Sequence, residues 1–426
     1  MAETHEAPAA PVELEITNVA HGGVFVARHE GRVVFVSDTV PGERVLVSIT
    51  DDSHTSFWRA ETLSVLEPSA HRRPHVWPAA SIERAPELRA GGAEFGHIAL
   101  AHQRELKRQV LADAFSRMAG VETDVTVEAL GDDEQREGTG WRTRVKLHVS
   151  DDGELGPYAA RSHRVIPVEE LPLAGDAVAE AAPLGQRFAG AESVDVVGPA
   201  DGSVHVLVND AARPTSQRAQ ERRPIVETVG GRGFRLDARG FWQVHRLAAS
   251  TLTDAVQSAV DESLFDAAAA NLDLYGGVGL LAAALGDRFG DGVRMTSVES
   301  DARATDDASE NLADWLGAQA VTARVDRYLQ QLERTATAGD RNRLRAATVI
   351  LDPPRSGAGK AVVASLGRLA PAQLVYVACD PVALARDVAL FAPYGYTVAS
   401  LRAFDLFPNT HHVEAVALLT REPAAR

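Results

Sequence analysis

The sequence predicts an α/β fold of Rossmann-like type for the C-terminal half of the chain, preceded by a small β-barrel and a β-rich middle domain. Three observations predict it. Short alternating β-runs fill the first 68 residues, strands and turns return between WRTRVKLHVS and GSVHVLVND, and strand–glycine–helix alternation begins after Arg239. A chain of 426 residues exceeds what one hydrophobic core organises. The boundaries expected are 1–68, 69–225 and 226–426.

The runs VELEITNVA, HGGVFVARHE, GRVVFVSDTV, PGERVLVSIT and FWRAETLSVLE alternate at period two and are separated by turn residues, as in a small barrel. The acidic, proline-bearing leader 1–11 reads as a flexible tail. ALAHQRELKRQVLADAFSRMAG carries apolar residues at helical spacing and stops at Gly120, predicting a helix near 98–120 that packs on the C-terminal domain. The middle domain closes in the polar stretch AARPTSQRAQERRP. Beyond it HRLAASTLTDAVQSAV reads as a helix, and NLDLYGG, MTSVES, AATVILDPP and QLVYVACD as buried parallel strands.

With 43 basic against 59 acidic residues the formal charge is −16, which excludes a protein that grips nucleic acid over its whole surface. Local basic clusters are candidates instead: Arg72–Arg73, Arg142/Arg144/Lys146, Arg161/Arg164 and Arg213/Arg218/Arg222/Arg223. No apolar run is long enough to span a bilayer, and the start lacks a basic-then-apolar leader, so a soluble cytoplasmic protein is expected, with no membrane partner. A single cysteine, Cys379, rules out an internal disulfide framework.

In Asn271-Leu-Asp-Leu-Tyr-Gly-Gly-Val-Gly an acid ends a strand and a glycine turn leads into a helix, so the backbone can approach a ligand at the crevice. The next strand ends at Glu299, suited to accept bonds from both ribose hydroxyls, and Asp326 and Asp352 are expected at the strand ends that follow. Four acids would repel a pyrophosphate but tolerate a cationic sulfonium amino acid joined to adenosine, which selects S-adenosylmethionine over NAD. Asp352-Pro-Pro-Arg-Ser-Gly gives a rigid pocket rim, and Cys379 ends the next strand at the same crevice.

Five ordered motifs, F-W-Q-V-H (241–245), D-L-Y-G-G-V-G (273–279), L-D-P-P-R-S-G (351–357), V-A-C-D-P-V-A-L-A-R-D (377–387) and F-P-N-T-H-H-V-E (407–414), resemble the RNA 5-methyluridine methyltransferase family. The resemblance implies a class I methyltransferase domain preceded by a TRAM-like barrel, with Cys379 as nucleophile and Glu414 as base. It implies that Gln243, Tyr275, Glu299, Asp326 and Asp352 line the S-adenosylmethionine site. The partner implied is ribosomal or transfer RNA, bound by a monomer. The chemistry needs such groups: uracil C5 becomes nucleophilic only after a thiolate adds at C6, and the C5 proton must then be removed.

Many relatives hold an iron–sulfur cluster on four cysteines. Here Ala90, Ala93 and Leu171 stand where three of those cysteines would, and with Cys379 alone no four-thiolate cluster can form, so none is expected. Gly276 and Leu280 replace residues often cysteine and asparagine in relatives. The alternatives are an RNA cytosine C5-methyltransferase and an RNA-binding protein with a vestigial site.

Overall fold

The structure, a computed structural model, describes residues 10–210 and 221–421. Most of the expected tail at 1–11 lies outside the described residues, as do Arg213 and Arg218. β1 (Val12–Ala20), β2 (Val24–His29), β3 (Arg32–Val36), β4 (Arg44–Asp51) and β5 (Phe57–Glu67) form a closed barrel in the order β1-β2-β3-β5-β4. Alternate residues such as Leu14 and Ile16, Val34 and Val36, and Val45 and Val47 fill its interior, which is the period-two pattern made physical.

Helix α1 (Leu100–Ala114) joins the barrel to the rest of the molecule. Leu106 enters the barrel core, whereas Leu111 and Ala114 enter the C-terminal core. The helix runs on through a wider turn, Phe115–Ala119, to Gly120 at φ 64°, where the sequence pattern stops. The strand that follows, β6 (Val127–Glu128), pairs parallel with the C-terminal sheet, so that sheet draws an edge from the segment expected in the middle domain.

β7 (Arg144–Val149), β8 (Leu155–Gly156), β9 (Ala191–Val197) and β10 (His205–Asp210) form an antiparallel sheet in the order β10-β9-β7-β8, with α2 (Asp176–Ala181) packed on β9. Ala90, Ala93 and Leu171 are buried in one apolar cluster with Trp77 and Trp141, so aliphatic packing occupies their neighbourhood. β11 (Pro224–Val229) and β12 (Arg232–Asp237) make a separate hairpin whose Ile225 and Phe234 pack into the C-terminal core.

The C-terminal half begins with α3 (Ala248–Ala259) and continues as β13 (Asn271–Leu274), α4 (Leu280–Phe289), β14 (Met295–Glu299), α5 (Ala302–Asn311) and β15 (Ala318–Thr322). Then come α6 (Val325–Thr335), α7 (Ala338–Arg345), β16 (Thr348–Leu351), α8 (Gly359–Leu369) and β17 (Gln373–Ala378). The chain ends in α9 (Pro381–Phe391), β18 (Tyr396–Phe404) and β19 (Glu414–Arg421). The sheet order is β15-β14-β13-β16-β17-β19-β18-β6, with β19 antiparallel to both neighbours. Every residue of β13, β16 and β17 is buried, because helices cover both faces. The chain reverses its direction of growth between β13 and β16, which opens a crevice at their carboxyl ends. Among the described residues no helix is long and apolar enough to cross a membrane.

Candidate active site

β17 and β19 run antiparallel with Ala378 opposite Ala415. Cys379 leaves β17 one residue later and Glu414 opens β19 one residue earlier, so the register sets thiol and carboxyl side by side at one end of the sheet. Leu351 pairs with Tyr376 in the adjoining ladder, and Asp352 therefore emerges at the same edge, its N–H donating to Leu274 O at 3.2 Å. β17 stops at Cys379 because Asp380 starts a helix: its Oδ1 accepts from Ala383 N at 2.8 Å, and Pro381 takes the first helical position.

Electrostatics follow from this crowding of acids in a buried place. Burial, then Glu414 and Asp352, push the Cys379 thiol up to about 12. Burial, then Asp273, raise Asp352 to about 7. Burial, then Asp352, hold Glu414 well above the usual carboxylate range. The thiol is thus no standing thiolate, whereas both carboxyls are better bases than solvated ones, and Asp352 is matched to proton transfer near neutrality.

A cavity of about 160 Å³ opens onto Cys379, walled by Lys107, Arg355, His411 and His412 and roofed by the β1–β2 hairpin at His21–Gly23. Gly23 is required there, since a Cβ would stand 2.9 Å from His411 Nδ1. Arg355 Nη2 donates to His412 Nε2 at 3.2 Å, and burial with the neighbouring His411 and Arg355 charges lowers His412 to about 3, so its ring is neutral. His412 is thereby a neutral wall, held by Arg355. Lys107, wholly buried, pairs with Asp405 at 2.5 Å and donates to Phe407 O at 3.0 Å.

On the other side of Asp352 lies the glycine turn. Tyr275 adopts φ 65°, and the N–H groups of Tyr275 and Gly276 both donate to Val298 O, at 2.9 and 3.1 Å, folding the turn over β14. Glu299 ends β14: its Oε2 accepts from Gly277 N at 3.3 Å and its Oε1 from Asp301 N at 2.9 Å. Space above Gly277 is open. Asp273 is fully buried beneath the turn, with Oδ2 accepting from Ala282 N and Ser297 Oγ at 3.2 Å each and Oδ1 without a partner. Burial lifts it to about 7. A Cβ on Gly276 would overlap Ser297 Oγ, so glycine is the residue this turn admits.

Two expectations need correction. Asp326 is not at a strand end: β15 stops at Thr322, and Asp326 sits in the first turn of α6, bonded by Arg324 at 3.1 Å. It still neighbours Tyr275, whose phenol burial and Asp326 push up to about 12. Two of the basic clusters are also largely spent on internal ties, and in a third one of the described arginines is. Arg72 grips Glu43 at 2.6 Å, Arg73 bonds Asn409 at 2.6 Å, and Arg144 pairs with Glu227 at 3.3 Å, while Arg222 holds Asp307 at 2.7 Å.

Glu299, Tyr275 and Asp352 converge on the crevice, and Cys379 and Glu414 adjoin it. Gln243 is half-buried after β12 and makes no side-chain hydrogen bond among the described residues; its neighbour Val244 accepts from Thr143 N at 2.8 Å. A wider cleft of about 810 Å³ between the β11–β12 hairpin and α3–α4 holds none of the candidate residues. Sequence reasoning passed over Asp387, which sits in a motif it did quote. Asp387 Oδ2 accepts from Tyr376 Oη and Ala358 N at 2.7 Å each, and Arg386 holds Ser356 O at 2.7 Å, fixing the proline rim. It also passed over Asp380 and His21, whose contact spans 359 residues and leaves no local signal.

Residues 260–422 match the family described as tRNA (uracil-5-)-methyltransferase, and residues 11–57 match the TRAM domain. An uncharacterized RNA methyltransferase of Streptomyces avermitilis is 38% identical, over 97% of this chain and 98% of its own. Another, of Bifidobacterium longum, is 34% identical over 96% of each. The solved structure of the Pyrococcus abyssi tRNA (uracil-54, C5)-methyltransferase in complex with S-adenosyl-L-homocysteine shares the fold, with a TM-score of 0.68 at 20% identity over 96% of this chain and 99% of that one.

Proposed function

Because the chain belongs to the tRNA (uracil-5-)-methyltransferase family of RNA methyltransferases, we propose that it forms 5-methyluridine in ribosomal or transfer RNA, with Cys379 as nucleophile and Glu414 as base. The observation that carries this reading is the β17–β19 register, which brings the one thiol of the chain beside a buried carboxyl at the crevice.

S-adenosylmethionine, when bound, supplies an electrophilic methyl group. The crevice suits it: Glu299 offers a carboxylate to the ribose, the turn over Gly277 leaves room for close approach, and the unpartnered Oδ1 of Asp273 is compatible with a cationic neighbour. Tyr275, Asp326, Asp352 and Gln243 complete the proposed lining.

Cys379 bonds C6 of the uracil while its proton leaves through the Asp352 carboxylate, whose value near 7 matches it to that transfer. Electron density moved to C5 makes that carbon the nucleophile. After methyl transfer Glu414 removes the C5 proton, and the electron pair left behind expels the Cys379 sulfur as thiolate. Burial serves the base, since a desolvated carboxylate takes a proton more readily than a solvated one. On this reading residues 226–426 carry the chemistry, assisted by the edge strand β6, and the barrel and middle sheet hold RNA around a base taken out of its stack.

The test is what accumulates. Cys379→Ala abolishes turnover and any covalent RNA adduct. Glu414→Gln keeps addition and methyl transfer but slows turnover by about 10²- to 10⁴-fold, so methylated RNA stays bound through sulfur as a slow band on a denaturing gel. Normal turnover by Glu414→Gln, or an adduct that persists without Cys379, sinks the assignment.

A further inference from the structure

His21, at the tip of the barrel's β1–β2 hairpin, places Nε2 2.8 Å from Asp380 Oδ2. Asp380 follows Cys379 directly, and its two oxygens divide the work: Oδ1 caps α9, and Oδ2 receives the barrel. Both residues line the cavity that opens onto the thiol. The side chains are 47% and 20% exposed, and a pair so solvated contributes only about 0–1 kcal/mol to folding, so its location matters more than its strength.

The other charges around His21 are engaged elsewhere. On α1 and the wider turn that continues it, Arg108 is paired with Glu105, Arg117 with Asp113, and Lys107 with Asp405. Across the cavity Arg355 donates to His412, and His411 lies 3.5 Å from Glu94. Asp380 is the carboxylate that His21 meets, and the Asp380 charge is among those that hold the thiol protonated.

Resting on the reading of Cys379 as nucleophile, we propose that His21 is a positioning residue: its imidazolium cancels the Asp380 charge beside the thiol and fixes the barrel hairpin over the cavity. The barrel is then a working wall of the active site as well as an RNA tether. The hydrogen bond to Asp380 raises His21 above the ordinary imidazole value against partial burial. Burial raises Asp380, but the His21 bond, the Ala383 and Val382 N–H groups and the His21 charge together outweigh it and hold that carboxyl below its usual range. The cancelling charge is present at low pH and is lost as pH rises through the raised His21 value, leaving Asp380 bare beside the thiol.

The single cysteine makes the experiment direct, because Cys379 is the one thiol that iodoacetamide can alkylate in this chain, and peptide mass mapping reads that site alone. His21→Ala exposes the Asp380 charge and moves the thiol up by about one pH unit, so alkylation at a fixed pH below the His21 titration slows about tenfold. The ratio of wild type to variant falls towards one as pH rises through that titration. Asp380→Asn keeps the helix cap and removes the charge, and His21→Ala/Asp380→Asn recovers the wild-type rate. Unchanged alkylation in His21→Ala, or a double variant as slow as His21→Ala, overturns the proposal. Alkylation needs no RNA. These shifts in a protein that forms no 5-methyluridine therefore leave the His21–Asp380 coupling standing while the functional reading fails.

Discussion

Gln103 and Asn409 hold each other in both directions: Gln103 Nε2 donates to Asn409 Oδ1 at 2.9 Å, and Asn409 N donates to Gln103 Oε1 at 2.8 Å. Asn409 is wholly buried at φ 65°, and its Nδ2 also reaches Gly138 O at 2.7 Å. One side chain thus ties the loop before Glu414 to α1 and to the segment entering the middle sheet.

Removing that hub strands several buried partners at once. Asn409→Ala should lower stability by about 2–4 kcal/mol, as unpaired buried groups accumulate. Asn409→Gly tolerates the left-handed backbone and should lose about 1 kcal/mol less. Urea unfolding of both variants measures the difference, and equal losses would show that backbone conformation contributes nothing.

Gly276 and Ser297 are coupled by contact. Gly276→Ala forces its new methyl group onto Ser297 Oγ and within 2.7 Å of Asp273 Oδ2, costing about 1–3 kcal/mol. Adding Ser297→Gly opens the space and should recover part of the loss in thermal unfolding. An alanine at 276 that costs nothing would mean the turn shifts freely.

On the proposed reading, Glu299 binds the ribose of the cofactor. Glu299→Ala should weaken S-adenosylhomocysteine binding by about 10- to 100-fold in calorimetry, the worth of hydrogen bonds to a charged group, with RNA affinity little changed. Parallel loss of both ligands would count against a ribose-binding role.

Asp273 and Asp352 give the free protein a pH signature. Each has a native value of about 7 against an ordinary 3.8, so between those limits the folded state binds more protons than the unfolded one. Their stabilising effect is complete below about pH 4 and disappears as pH rises through 7. Asp273→Asn removes that titration. The variant should gain stability relative to wild type above neutrality, and chemical unfolding at pH 5 and pH 8 would reveal a constant difference if the reading is mistaken.

The sequence by itself determined the elements whose signal lies in consecutive residues. Period-two runs marked all the barrel strands, apolar runs ending in glycine or an acid marked β13, β14, β16 and β17, and helical spacing ending at Gly120 marked α1. The strand-and-acid pattern singled out Glu299, Asp352 and Cys379 as candidates at the carboxyl ends of their strands, and the motif resemblance added Glu414, which opens β19. Tertiary structure alone decided the rest. Asp326 moved from a strand end into a helix because α6 begins at Val325, Asp273 went under the turn, and β6 joined a sheet hundreds of residues away. Arg72, Arg73 and Arg144 became internal ties, and His21 came to rest on Asp380. The physical reason is common to these cases: a strand or helix is specified by the spacing of neighbours along the chain, whereas a pairing between distant residues exists only once packed elements bring them within reach of a hydrogen bond.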